Sequence, residues 1–343
     1  LKKTAGAADT VFGTGTPMFF FNDAGATIQL ASGALEVTVP GGFSNNGTID
    51  VASAATFRRG GGFTNNATGI IRGNGTIDLG GGALINDGTI APGAVSGDTT
   101  GTLSITGNYT QGAGGALNVE LGGTAAGDFD VLAVSGTATL AGALNRSYLS
   151  YTPANGATHR VLTYASRSGT FTSGTDANSL ALVYGATGLD LVKTAGAANT
   201  WALTVGGDWN TAANWSLAHV PTSTEDALIG DLSGAPTITL AANAGTAGSF
   251  SFLGNETFQL NTSGSLTVSG ASSIGTGGTL HINGGTLTMN NSLTVPNLTI
   301  SSGTLTGSGA VMVSGTMNWS GGTQSGVGTT TVVPGAGLTL NLV

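Results

Sequence analysis

The side chains best suited to chemistry in this sequence are a few carboxylates that lie close together. Asp128 and Asp130 flank Phe129, so in an extended strand they would share one face. Carboxylates about 5 to 10 Å apart are the catalytic groups of glycoside hydrolysis. A solvated turn leading into a strand is the alternative for this pair, and it is the interpretation that we adopt here.

Two further aspartates, Asp50 and Asp78, occupy the same place in two Gly-Thr-Ile-Asp phrases. Such residues either stack on one face or contribute to a calcium site. Calcium takes about six to eight oxygen ligands, and the Gly-Gly-x-Gly-x-Asp phrase of calcium-binding repeats is not reproduced. We therefore predict neither a metal nor a cofactor.

Other catalytic patterns are missing from the chain. It has no cysteine and no Gly-x-Ser-x-Gly nucleophile elbow. Its three histidines, His159, His219 and His281, are far apart in sequence, and no phosphate-binding loop with a lysine occurs. We predict that the protein is not an enzyme.

Two tryptophans, Trp209 and Trp215, are the best aromatic candidates for a binding role. Exposed aromatic rings stack on sugars, whereas buried ones pack in a core or cap the end of one. Both interpretations stay open at this point, with packing the favoured one.

The elements that would carry these side chains follow from a short repeated phrase, in which Gly-Thr precedes alternating apolar and polar residues. It occurs at 46–51, 74–79, 101–105, 278–282 and 314–319, among other places. Each phrase predicts a turn followed by a short strand with one apolar face, and glycine or asparagine at positive φ in the turn. Such strands bury that face only by stacking coil on coil.

The fold that we predict is therefore all-β: a right-handed parallel β-helix (β-solenoid) forming an elongated rod. At about 20 to 25 residues per coil, the chain makes about 14 to 17 coils, and identical residues in neighbouring coils form Asn, Thr or aliphatic ladders. A sandwich or up-and-down barrel is the alternative. We divide the chain into an N-terminal array at 1–192, which contains longer strands at 127–171, a Trp-containing junction module at 193–229, and a C-terminal array at 230–343.

Composition limits the partners. Charged residues make up only 8% of the chain, against about 25% in ordinary soluble domains, and the net charge is −8. Nucleic acids and anionic membranes both require basic patches, which nine scattered Lys and Arg residues do not form. No apolar run reaches the length of a transmembrane helix.

Two segments of the chain resemble a known class of proteins. Gly127 to Leu140, followed by Val161 to Tyr164 and Ser168 to Phe171, resembles the passenger regions of autotransporters. Asp208 to Pro221 and the Gly-Thr phrases are similar to filamentous haemagglutinin-like surface proteins of bacteria. The resemblance implies a right-handed parallel β-helix, exported to the cell surface, that serves in attachment, biofilm or an extracellular fibre.

The function that we expect is an extracellular structural or adhesive solenoid that associates end to end and contacts glycans or surfaces. The alternatives are a polysaccharide-active β-helix enzyme and a glycan-binding module. The alternating strand at 337–343 carries no charge to deter pairing. The candidate contacts between subunits are Leu338, Leu340, Leu342 and Leu1.

Overall fold

A computed structural model describes residues 1–4, 6, 9–13, 19–39, 42–93, 100–174, 176, 178 and 180–340. Within these residues the regular structure consists of 35 strands and one 3-10 helix. The strands stack in parallel as a β-solenoid of about 14 turns, which confirms the predicted fold class. None of the described segments forms a helix with the length and apolar character of a membrane span.

The chain forms two compact units, one of Leu1–Leu182 with Thr187–Lys193 and one of Val183–Ala186 with Thr194–Val343. The strands up to residue 192 are β1 Lys2–Lys3, β2 Thr10–Phe12, β3 Phe20–Asn22, β4 Thr27–Leu30, β5 Gly33–Val37, β6 Phe43–Asn45, β7 Thr48–Val51, β8 Ala55–Arg58, β9 Gly62–Asn65, β10 Ile70–Gly73, β11 Thr76–Asn86, β12 Thr89–Pro92, β13 Thr102–Gln111, β14 Ala116–Leu121, β15 Val131–Val134, β16 Thr137–Leu140, β17 Ala143–Tyr148, β18 Thr158–Thr163, β19 Ser166–Gly169, β20 Thr172–Ser173, β21 Ala181–Tyr184 and β22 Gly188–Val192.

The later elements are β23 Ala197–Thr200, β24 Gly207–Asp208, the 3-10 helix Ala212–Asn214, β25 Glu225–Ile229, β26 Thr237–Ala247, β27 Ser249–Phe252, β28 Thr257–Val268, β29 Ser272–Ile274, β30 Thr279–Met289, β31 Leu293–Thr306, β32 Ala310–Trp319, β33 Thr323–Gln324, β34 Thr329–Val332 and β35 Gly337–Leu340. The segment 193–229, which we predict as a junction, contributes β23, β24 and β25 to the second unit. These strands pair in parallel with β25, β26 and β27, respectively.

In the first unit each coil contributes a strand to each of three faces. One face runs β1-β4-β7-β10-β12-β14-β17-β20, and the long strands β11 and β13 turn a corner to join the other two. Its core row Ile28, Ile49, Ile71 and Ile90 is fully buried, so the predicted aliphatic ladder is confirmed. The antiparallel strand β22, buried along its length, lies beside β18.

The register shows how long each coil is. Ile28 lies opposite Ile49, an advance of 21 residues, whereas Leu117 lies opposite Leu144, an advance of 27 residues. The longer coil accommodates the loop at 122–130, where the chain leaves the strand pattern. This loop becomes one wall of the site described below.

Asparagine side chains form a second ladder, inside the corner of the first unit. The Nδ2 atoms of Asn22 and Asn45 donate to Oδ1 of the next asparagine at 2.6 Å, and Asn65 donates to Asn86 at 2.7 Å. All four side chains are buried. The predicted asparagine ladder is thus confirmed, and it satisfies amide groups that would otherwise be costly to bury.

The role predicted for the glycine of the repeated phrase is wrong in several coils. Gly47 does not adopt positive φ; instead, a Cβ there would lie 2.3 Å from the carbonyl oxygen of Ala26 in the coil beneath. Close stacking of coils, not left-handed backbone, therefore requires glycine at this corner. Gly285, with φ of 66°, does follow the prediction.

The second unit winds its strands into one continuous parallel sheet system. Its core row runs through Phe258, Leu280, Leu298 and Met317, which are buried and in register from coil to coil. Leu338 is next in the row, opposite Met317. The row is therefore continuous up to β35.

Candidate functional site

The aspartates of the two Gly-Thr-Ile-Asp phrases do not come together. Asp50 lies on β7 and Asp78 on β11, in different sheets, and each faces an arginine. Arg72 Nη2 lies 3.6 Å from Asp50 Oδ2, and Arg58 Nε lies 3.1 Å from Asp78 Oδ2. Burial raises the pKa of Asp50, whereas the Gly80 N–H lowers that of Asp78.

No metal centre is evident in the part of the chain that the structure describes. No three His, Cys, Asp or Glu side chains converge there. The histidines serve in packing or local hydrogen bonds: His159 is buried with its Nε2 atom 3.2 Å from the Tyr151 hydroxyl, and His281 Nε2 lies 3.0 Å from Ser301 Oγ.

The Asp128–Asp130 pair has two different environments. Asp128 is exposed in a turn, as predicted, but Asp130 is 0% exposed, so the solvated interpretation is wrong for it. The N–H groups of Gly101 and Glu120 donate to its two carboxylate oxygens at 2.8 and 2.9 Å. Burial nevertheless raises the pKa of Asp130 to about 7. The carboxyl thus links the loop at 122–130 to Gly101, which precedes β13, and to Glu120 on β14.

Asp130 belongs to the wall of a cleft of about 470 Å³ in the first unit, which we name the polar cleft. Its volume falls in the usual range of small-ligand sites, about 300 to 1,000 Å³. It crosses strands β10, β12, β14 and β17, which are neighbours in one sheet. The lining residues are Arg72, Ala91, Pro92, Asn118, Val119, Glu120, Asp130, Asn145, Arg146 and Ser147.

The strand alternation explains which side chains the polar cleft receives. On β14, Asn118 and Glu120 alternate with buried leucine and valine, so both project from the outer face. Asn145 lies opposite Asn118 on the next strand, and its Nδ2 atom donates to Asn118 Oδ1 at 2.9 Å. Two coils thereby place amides side by side.

The two arginines of the polar cleft differ in position. Arg72 projects outward and its side chain is 38% exposed. Arg146 takes a core-facing position opposite Val119, and its fully buried Nε atom lies 3.3 Å from Asp176 Oδ2. The Tyr148 hydroxyl donates a further hydrogen bond to Asp176. Each arginine is thus partly neutralised by a carboxylate.

Sequence reasoning singled out Asp130, but as part of a solvated turn, and missed Arg72, Glu120 and Arg146. These residues are far apart in sequence because the polar cleft is assembled across coils, so no local motif indicates the cleft. One signal was available: Leu144-Asn145-Arg146 places a charged residue where the alternation requires an apolar one.

The tryptophans lie in the core of the second unit. Trp209 is 0% and Trp215 is 2% exposed. Their ring centroids are 4.7 Å apart, and Trp209 also lies 5.3 Å from the ring of Phe258. Trp215 Nε1 donates to the Trp209 carbonyl at 2.7 Å. This burial favours the packing interpretation over contact with a glycan.

The leucines proposed as contacts between subunits are exposed where they are described. Leu338 is 53% and Leu340 is 52% exposed on β35, and Leu1 is also exposed, beside β4. Leu342 lies outside the described residues.

Comparison with known proteins finds a match to a family model over part of the chain. The family described as "Domain of unknown function (DUF8693)" matches residues 200–306, which run from β23 to β31 in the second unit. The match includes the buried tryptophans and less than half of the chain. No curated protein matches the sequence.

Proposed function

We propose that this protein is an extracellular structural or adhesive β-solenoid, and that the edge of β35 associates with a further coil from a second copy. Support comes from the uncharged polar composition, the stacked ladders and, above all, the exposed core-facing leucines of β35. The autotransporter-like and haemagglutinin-like segments support a location at the bacterial surface. The nine scattered Lys and Arg residues do not form the basic patch that binding to nucleic acid requires.

The edge of β35 carries the proposal because of where its leucines point. Leu338 lies opposite Met317 and Leu340 opposite Trp319, so both continue rows of the preceding coil. Met317 is buried because β35 covers it, whereas Leu338 is half exposed. A further coil would bury Leu338 as β35 buries Met317.

The energetics of such contact are favourable but modest for each side chain. Full burial of a leucine contributes about 1.5 to 3 kcal/mol, so the exposed halves of Leu338 and Leu340 contribute about 1 kcal/mol each. Backbone N–H and C=O groups on the open side of a strand add directional pairing. A contact between unlike ends does not close on itself, and it propagates into a fibre.

The test is the double variant Leu338→Lys/Leu340→Lys, compared with Ile85→Lys. Ile85 is exposed like these leucines, but β11 has strands on both sides. Light scattering and electron microscopy should show concentration-dependent association and rods for the parent and the Ile85 variant, and single particles for the double variant. Equal assembly of all three proteins would reject the β35 edge as the joint.

A further inference from the structure

The polar cleft is long enough to hold an extended ligand. It crosses four neighbouring strands, and strands in a sheet lie about 4.8 Å apart, so β10 and β17 are separated by about 14 Å. The long direction of the cleft therefore follows the solenoid axis. A chain-like ligand lying along it would meet equivalent positions of successive coils.

The lining is rich in groups that bind hydroxyls. Arg72 offers donors only, Glu120 offers acceptors when ionised, and the amides of Asn118 and Asn145 and the hydroxyl of Ser147 offer both. Hydroxyl groups of a ligand both donate and accept, so they can be satisfied at every one of these positions.

The charges of the polar cleft disfavour anionic ligands. Arg72 pairs with Asp50 and Arg146 pairs with Asp176, and the lining adds the carboxyl groups of Glu120 and Asp130. No positive excess is left for a phosphate, a sulfate or a polyuronate. The mixed donors and acceptors of the lining suit an uncharged ligand with many hydroxyls.

The site is also held in place before any ligand arrives. The Asp130 carboxyl fixes the wall by accepting hydrogen bonds from Gly101 and Glu120, and Asn145 orients Asn118. Preorganised groups lose less conformational freedom on binding, which favours affinity.

From this geometry we propose that the polar cleft binds a neutral oligosaccharide along the solenoid axis, with Arg72, Asn118 and Glu120 as its hydrogen-bonding residues. The inference rests on the adhesive part of the proposed function and supplies its ligand class. It does not depend on association through β35.

The experiment uses the full chain and an array of neutral tetrasaccharides (glucans, mannans, galactans and N-acetylglucosamine oligomers), with tetragalacturonate as the anionic comparison. Positive compounds are titrated by NMR against the parent, Asn118→Ala, Glu120→Gln and Asn318→Ala. Asn318 is the matched control, an exposed strand asparagine in the second unit. Loss of one hydrogen bond to a ligand corresponds to about a tenfold weaker Kd.

We expect a neutral tetrasaccharide to bind to the parent. Its Kd should be about tenfold weaker for Asn118→Ala and Glu120→Gln and unchanged for Asn318→Ala. The proposal is overturned if no neutral compound binds at millimolar concentration, if tetragalacturonate binds more tightly, or if the cleft variants bind like the parent. Circular dichroism confirms that each variant is folded. Light scattering of the same samples measures association through β35 separately. Failure of the oligosaccharide proposal can therefore be distinguished from failure of the β35 proposal.

Discussion

At the scale of the residue, Asp130 is the group whose environment departs most from its expected one. Its carboxyl is buried yet accepts two backbone hydrogen bonds, and its pKa is raised from 3.8 to about 7. A raised pKa means that the folded protein binds a proton that the unfolded chain has released between these two pH values. The stabilising contribution is therefore complete below about pH 4 and is lost as the pH rises to 7.

We expect the free energy of unfolding of the parent, relative to Asp130→Asn, to fall by up to about 4 kcal/mol between pH 4 and pH 8. Urea denaturation of both proteins across this pH range measures the difference in their unfolding free energies. His159 is also buried, and its lowered pKa acts in the opposite sense, but it is present in both proteins and cancels. A difference that does not change with pH would show that Asp130 is ionised throughout.

At the scale of the element, the buried asparagine ladder holds neighbouring coils in register. Asn65 accepts from Asn45 and donates to both Asn86 and the Gly69 carbonyl. Asn65 thereby connects three successive coils. An apolar or charged side chain at this position would leave partners unsatisfied in the core, where an unpaired polar group costs about 1 to 3 kcal/mol.

We predict that Asn65→Asp lowers the unfolding free energy by about 3 kcal/mol or more, because a carboxylate cannot donate to the Asn86 oxygen and is itself buried. Asn66→Ala is the matched control: the neighbouring amide donates to Asn46 at 2.9 Å in a partly buried position, and its loss should cost less than about 1 kcal/mol. Chemical denaturation compares the variants. Similar losses at both sites would mean that the ladder has no special role.

At the scale of the whole molecule, the expected outcome of metal removal follows from how the aspartates are used. Asp50 and Asp78 face arginines on different sheets, and the described residues contain no cluster of three candidate metal ligands. EDTA should therefore leave the melting temperature unchanged. A thermal scan with and without chelator measures this, and a marked fall in EDTA, reversed by calcium, would contradict it.

The sequence by itself determined the class of the fold. The Gly-Thr phrases and two-residue alternation are local, and strands with one apolar face must stack, so the parallel solenoid and its ladders of isoleucine and asparagine were predictable. The same local reasoning favoured packing, in a core or as a cap, over sugar binding for the two tryptophans. It also treated the glycine of the phrase as a turn former.

Only the tertiary structure determined which residues of neighbouring coils lie opposite each other. The number of residues per coil varies from 18 between Leu280 and Leu298 to 31 between Gly207 and Ile238, so the neighbours of a given side chain cannot be counted from a fixed period. For this reason Arg72 and Arg146 share the polar cleft, and Asp130 is buried although its sequence resembles a solvated turn. Gly47 is needed because Ala26, 21 residues earlier, approaches it. Contacts between coils depend on loop lengths, and no local pattern encodes them.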